Sequence, residues 1–144
     1  MNRRAREDPD DSLEKLRRQP APEWVQLGHC VYVLNVVDKS GVLKHKIGRS
    51  IDLQQRWAKL RHEIRGHLEI VHQRMVPEHV YMEACAHALL RELRLDNEIE
   101  MFAADIELVL GTLNICSSNL ARMQQEHAEL KQRVEASKLS NRSN

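Results

Sequence analysis

Read for the spacing of its apolar residues, the chain opens without a pattern and then passes through compact apolar runs. It closes on a long stripe in steps of three and four. Residues 1–27 mix basic and acidic groups with three prolines, the composition of a disordered arm. Within it a short helix is expected at Ser12 to Arg18, with Trp24, Val25 and Leu27 tucking onto the edge of the domain that follows. At Cys30 the character changes. Val31 to Val37 is a β-branched apolar run, Asp38-Lys39-Ser40-Gly41 is a turn cluster, and Val42 to Gly48 is a second run; together they predict a β-hairpin. Alternation puts Val42, Lys44 and Lys46 on one face of the second strand and Leu43, His45 and Ile47 on the other.

Ile51, Trp57, Leu60 and Ile64 then mark a helical stripe that Gly66 ends, with Ser50 or Asp52 as its cap and Asp52 with Gln55 as a capping box. Leu68 to Val76 predicts a third strand, stopped by Pro77. A second helix is expected from His79 to Leu95, with Val80, Ala84, Ala88 and Leu89 on one face. The last element is the most regular. Ile106, Val109, Leu113, Cys116, Leu120, Met123, His127, Leu130 and Val134 form a heptad stripe, weakened inside by Gly111. Its first half fits against the preceding domain, while its second half either pairs with a partner helix, the preferred reading, or stands as a lone amphipathic helix. Beyond Ala136 the polar composition predicts fraying.

Composition narrows the class. The 144 residues are 42% hydrophobic but only 3% aromatic, so the core rests on Leu, Ile, Val and Ala and suits a helix-rich or mixed domain. Three widely spaced cysteines, Cys30, Cys85 and Cys116, with no CxxC pair, support neither a disulfide scaffold nor a zinc finger and fit buried thiols in a reducing cytoplasm. No apolar run approaches the roughly 18 residues that span a bilayer, and the N-terminus lacks the apolar core of a secretory signal, so neither a membrane partner nor export is expected. The formal charge is +1, with 22 Lys and Arg against 21 Asp and Glu. That balance is a cancellation: residues 38–67 hold eight basic against three acidic residues, and residues 78–107 hold eight acidic against two basic. It excludes a uniformly basic protein, not one with a basic face.

Five short motifs stand in order on these elements. They are Val31-Tyr32-Val33 in the first strand, Lys46-Ile47-Gly48-Arg49-Ser50 in the second, and Leu53-Gln54-Gln55-Arg56 on the first helix. Glu83 with His87 lies on the second helix, and Glu100-Met101-Phe102 follows. In this order the stretch from Cys30 to about Cys116 resembles the GIY-YIG nuclease superfamily, most closely the phage and bacterial branch whose second motif reads Lys-Ile-Gly. The resemblance implies an α+β (α/β) fold: a small three-stranded antiparallel sheet flanked by helices, followed by the long C-terminal amphipathic helix. It divides the chain into the arm (1–27), a nuclease-like domain (28–116) and a C-terminal helix with a frayed end (117–144). The pattern departs from the family twice. Cys30 stands in place of the first-motif glycine, with Gly28 two residues earlier, and Lys46 stands in place of the second-motif tyrosine.

The resemblance also implies a chemistry, hydrolysis of a phosphodiester. It gives Tyr32 the proton of the attacking water, Arg56 the phosphate, and Glu83 a single divalent metal ion, Mg²⁺ or Mn²⁺. One carboxylate is enough, since Mg²⁺ keeps water and substrate phosphate among its ligands. His87, one turn after Glu83, co-ligates or only hydrogen-bonds. His45 and Lys46 flank the missing tyrosine, and either takes over positioning of the water or neither does. His62 is a further candidate for orienting water or phosphate. Lys44, Arg49, Lys59 and Arg61 belong to the basic block, where the DNA backbone would lie. Without the resemblance, Tyr32 reads as a core-edge residue, Arg56 as a solvated charge and Glu83 as a carboxylate near a helix start.

The expected activity is therefore a metal-dependent DNA endonuclease of phage or mobile-element type. It would grip duplex or branched DNA through phosphates, need no small-molecule cofactor, and form a homodimer through residues 106–134. The alternatives are an inactive DNA-binding module of the same fold, dimerising through its C-terminal helix, and an adaptor whose business is that helix. The few aromatics argue against reading single strands by base stacking.

Overall fold

A computed structural model describes residues 19–95 and 100–142. The elements are β1 (Leu27–Val37), β2 (Leu43–Asp52), α1 (Leu53–Glu63), β3 (His67–Met75), α2 (His79–Leu89), a 3₁₀ turn (Arg91–Leu93), β4 (Met101–Phe102) and α3 (Ile106–Arg142). The sheet is antiparallel, in the order β3-β1-β2-β4. It has four strands where three were expected. The extra one is two residues long, pairing Lys46 with Met101 and His45 with Phe102, too short to leave an alternation in the sequence.

Both faces of β1 are buried, which is why its sequence reads as a continuous apolar run rather than an alternating one. Tyr32, Leu34 and Val36 face α1 and pack with Leu53, Trp57, Leu60 and Ile70. Val31 and Val33 face the other way and pack with Ile47, Met82, Phe102, Val109 and Leu113 from β2, α2, β4 and α3. The hairpin turn is held by Asp38, whose Oδ1 accepts from the Ser40 and Val42 amides at 2.9 and 3.0 Å.

Helix α1 starts where Asp52 Oδ1 accepts from the Gln55 amide at 3.1 Å. Its buried stripe is headed by Leu53, not Ile51. Ile51 is still in β2 and 60% exposed, whereas Leu53, Trp57 and Leu60 keep the helical spacing. Gly66, at φ 126°, follows the helix with the Val37 carbonyl only 2.5 Å from where a Cβ would stand. Helix α2 ends at Leu89 rather than Leu95, and it turns the opposite face inward from the one expected. Met82 and Ala86 are buried with Leu90, while Val80 and Leu89 are more than half exposed. With alanines on both sides of the helix, the larger Met82 and Leu90 decide which face is worth burying.

Of the N-terminal arm, residues 1–18, with the helix expected at Ser12 to Arg18, lie outside the described residues. Residues 19–27 pack against the domain. The Gln19 carbonyl accepts from the Trp57 indole at 3.0 Å, Gln26 exchanges hydrogen bonds of 2.8 Å with Gln73, and Val25 is buried. Trp24 and Leu27, expected to tuck in beside Val25, are exposed.

Helix α3 splits into two halves. Asp105 caps it, accepting from the Leu108 amide at 2.7 Å, and Val109, Leu113 and Cys116 are buried. Arg74 of β3 ties it down through Asn114 and Ser117, and the last described contacts to the domain are Tyr81 with Met123 and Glu78 with Gln124. From there the helix runs on to Arg142, past Ala136 where fraying was expected, leaving Leu130 and Val134 about half exposed. No helix among the described residues is long and apolar enough to cross a membrane.

Candidate active site

β4 covers the outer edge of β2 only as far as Lys46, and the Ile47 amide closes the pairing on the Glu100 carbonyl at 3.0 Å. Beyond that point side chains from both faces of the sheet meet round the edge of β2. They line an open cleft of about 410 Å³ that includes Tyr32, Arg49, Arg56, His79, Glu83 and Glu100.

Tyr32 reaches this cleft because residue 48 has no side chain. A Cβ on Gly48 would lie 2.4 Å from both the Cζ and the hydroxyl oxygen of Tyr32. The ring therefore lies across β2, and the Lys46 ammonium stands 5.8 Å from its centroid. The Arg56 guanidinium stands beside the Tyr32 hydroxyl on the same cleft. Burial pushes the hydroxyl's pKa up to about 12; Arg56 opposes that rise, and the charges of Glu100 and Glu83 add to it. Tyr32 is thus a neutral phenol at pH 7. Arg56, on the first turn of α1, also faces Glu63 at 3.9 Å.

Across the cleft, Glu83 projects from α2. Its Oε1 lies 3.6 Å from Arg49 Nε, and its Oε2 is buried with no hydrogen-bond partner among the described residues. Burial, then the charge of Glu100, raise its pKa, while His87, Arg49 and Lys46 pull it down. An unsatisfied buried carboxylate oxygen is costly unless something cationic completes it. The donor set fits a hard divalent cation that brings its own water. Among the described residues no group of three or more His, Cys, Asp or Glu could cage an ion alone.

Ser50, Ile51, His79 and Glu100 line the cleft without having been assigned a role from the sequence, and two of them carry titratable groups. Glu100 pairs with the Lys46 ammonium and holds a φ of 65°, an uncommon conformation for a residue with a side chain. Its place in the Glu-Met-Phe motif was the available signal. His79, at the start of α2, packs against His29 with the rings tilted at 52° and their centroids 4.6 Å apart; only its position just after Pro77 hinted at it.

The other expected residues are placed as follows. Lys46 borders the cleft through Glu100 and Tyr32, and Arg49 lines it. Lys44 lies in a neighbouring cleft of about 500 Å³. His45 is on the opposite face of β2, its Nδ1 donating to the Ala104 carbonyl at 2.6 Å. His87 Nε2 donates to the Ile47 carbonyl at 2.8 Å, and its ring packs on Phe102. Arg61 lies over the Trp57 ring, and Lys59 and His62 are exposed; none of the three lines either cleft.

Neither a curated protein nor a solved structure matches the chain. A family model, the T5orf172 domain, matches residues 29–117, which run from the first residues of β1 through the buried start of α3 and hold the whole cleft. The chain therefore belongs to the T5orf172 domain family, a phage-associated domain related to GIY-YIG and HNH-like nuclease folds.

Proposed function

We propose that this protein is a metal-dependent DNA endonuclease working through a GIY-YIG-like site. Family membership suggests a nuclease or DNA-binding role. The observation that carries the finer reading is the convergence of Tyr32, Arg56 and Glu83 on one open cleft, with Glu83 Oε2 unsatisfied. Glu83 would hold a single Mg²⁺ or Mn²⁺ ion, with Glu100 close enough to add its charge. When bound, such an ion supplies Lewis-acid stabilisation of charge on the phosphate and leaving oxygen.

The chain's own groups do the rest. The Arg56 guanidinium, beside Tyr32 on the cleft, offers paired N–H donors to the non-bridging oxygens of the scissile phosphate. The Tyr32 hydroxyl, a neutral phenol, orients the attacking water as a hydrogen-bond acceptor. It positions the water and does not itself hold the water's proton, since its pKa near 12 leaves no standing phenolate at pH 7 to receive one. Arg49 and Lys46 add positive charge around the path of the backbone. The exposed half of α3 would pair two copies so that two sites meet two strands.

A second reading, a DNA-binding module of the same fold without hydrolysis, is favoured by one observation. Lys46, standing where the family places its second tyrosine, is paired with Glu100 rather than open to the cleft. Relaxation of supercoiled plasmid with Mg²⁺ or Mn²⁺ separates the two. The nuclease reading expects nicking by the wild type and its loss in Arg56→Ala and Glu83→Ala. An intact plasmid together with salt-sensitive DNA binding would select the second reading.

A further inference from the structure

Hydrolysis at the candidate active site requires a group to receive the proton of the attacking water. Tyr32, a neutral phenol, positions that water without holding its proton. Arg49 and Arg56 line the cleft as cations with no lone pair to offer. Glu100 is paired with the Lys46 ammonium, and Glu83 is the proposed holder of the divalent ion. The remaining titratable side chain on the cleft wall is His79.

Its setting differs from that of His45 and His87, which also give a ring N–H to a backbone carbonyl but line neither cleft. His79 is the first residue of α2, one helical turn before Glu83, and its side chain forms part of the cleft wall. Two contacts hold the ring there. Nδ1 donates to the Pro77 carbonyl at 3.3 Å, and the His29 ring, from β1, packs against it. A neutral imidazole that donates from Nδ1 carries its lone pair on Nε2, the tautomer that a general base needs. His79 therefore combines what the other two histidines share, an anchored ring, with what neither has, a place on the cleft.

We infer that His79 is the general base of this site, its Nε2 taking a proton from the water that Tyr32 positions. As the water oxygen bonds to phosphorus, its O–H bond breaks and the proton passes to Nε2. The bond from phosphorus to the leaving oxygen breaks, the electron pair stays on that oxygen, and solvent in the open cleft protonates it. The imidazolium returns its proton to solvent and is ready for the next cycle, an exchange that this side-chain type makes readily near neutral pH. The inference rests on the nuclease reading and adds the proton acceptor that Tyr32 is not.

The experiment measures nicking of supercoiled plasmid by the full chain in Mn²⁺ at pH 7, with and without small added bases. His79→Ala is expected to lower the rate about 100-fold or more. Added imidazole should raise that variant's rate about ten-fold, and pyrazole, a ring of the same shape that is not basic at pH 7, should leave it unchanged. His79→Asn, whose side-chain amide keeps a donor toward Pro77, should be as inactive as His79→Ala at the melting temperature of the wild type. If His79→Ala fails to fold, the rate of His79→Asn decides alone. A rate within about three-fold of wild type in either variant overturns the inference. So does recovery of His79→Ala by both rings alike or by neither, or recovery by raised Mn²⁺ instead, which would make His79 a metal ligand. Any of these results beside a wild type that nicks leaves the nuclease reading standing and removes this inference alone; a wild type that never nicks removes both.

Discussion

His45 and His87 enter the protein on the side of the sheet covered by α2 and α3, and each gives a ring N–H to a backbone carbonyl, at 2.6 and 2.8 Å. Lys44, Lys46 and Arg56 stand on the side covered by α1, where two of the three face a carboxylate at close to 4 Å and all three border a cleft. The first side is largely a dry interior, and both of its imidazoles are used in holding elements together. His87 fixes α2 to β2, and His45 fixes the segment leading into α3. The Cys116 thiol there is quiet, burial pushing it up to about 12. The second side keeps its cations in ion pairs along the walls of the clefts. The difference teaches that being polar and inside is not the mark of a working residue; an incomplete geometry that borders a cleft is, as at Glu83 Oε2.

Perturbing each side should therefore give effects of different kind. The largest is expected for Arg56→Ala, which should lower nicking by on the order of 10²–10³-fold while leaving the melting temperature almost unmoved, because the side chain is partly exposed. An equal loss from Lys59→Ala, away from both clefts, would break the distinction. Leu113→Ala, on the dry side, should do the opposite. It should cost about 2–5 kcal/mol in denaturant unfolding with the nicking rate per folded molecule unchanged.

Gly48→Ala lies between the two. Its methyl would collide with the Tyr32 ring, so either the ring leaves the cleft or β2 shifts, at about 1–3 kcal/mol, and activity should fall with stability. Tyr32→Ala in the same background removes the clash but opens a core cavity, so the double variant should lose less stability than the two single changes added together, with no activity recovered. The smallest effect is on titration. A hydroxyl raised to about 12 in the folded state, against about 10 unfolded, contributes stability that is complete below pH 10 and is lost as pH rises toward 12. Absorbance at 295 nm should show a tyrosinate step near pH 12 that Tyr32→Phe removes; a step surviving in that variant would assign it to Tyr81.

The same contrast explains which features could be seen in the sequence. The hairpin, the Asp52 cap and the two faces of β2 were legible because alternation and turn chemistry act locally. Lys44 and Lys46 were correctly separated from His45 on that basis alone. Tyr32, Arg56 and Glu83 were singled out by motif order, and the structure brings them to one cleft. β4 was hidden because two residues carry no period, and Glu100 because its role depends on a backbone angle and on Lys46 across the sheet. The inward face of α2 was misread because its alanines dilute the pattern. The histidines were ambiguous for a simpler reason: an imidazole anchoring a helix and one holding a metal look alike until the partner of each nitrogen is known.

The central claim is that the incomplete carboxylate works and the completed histidine beside it, one helical turn away, only anchors. The most direct measurement is the Mg²⁺-dependent plasmid nicking rate, per folded molecule, of Glu83→Gln beside His87→Gln. The account predicts a fall of about 100-fold or more for the first and less than about three-fold for the second. Equal losses, or a wild type that does not nick at all, would contradict it.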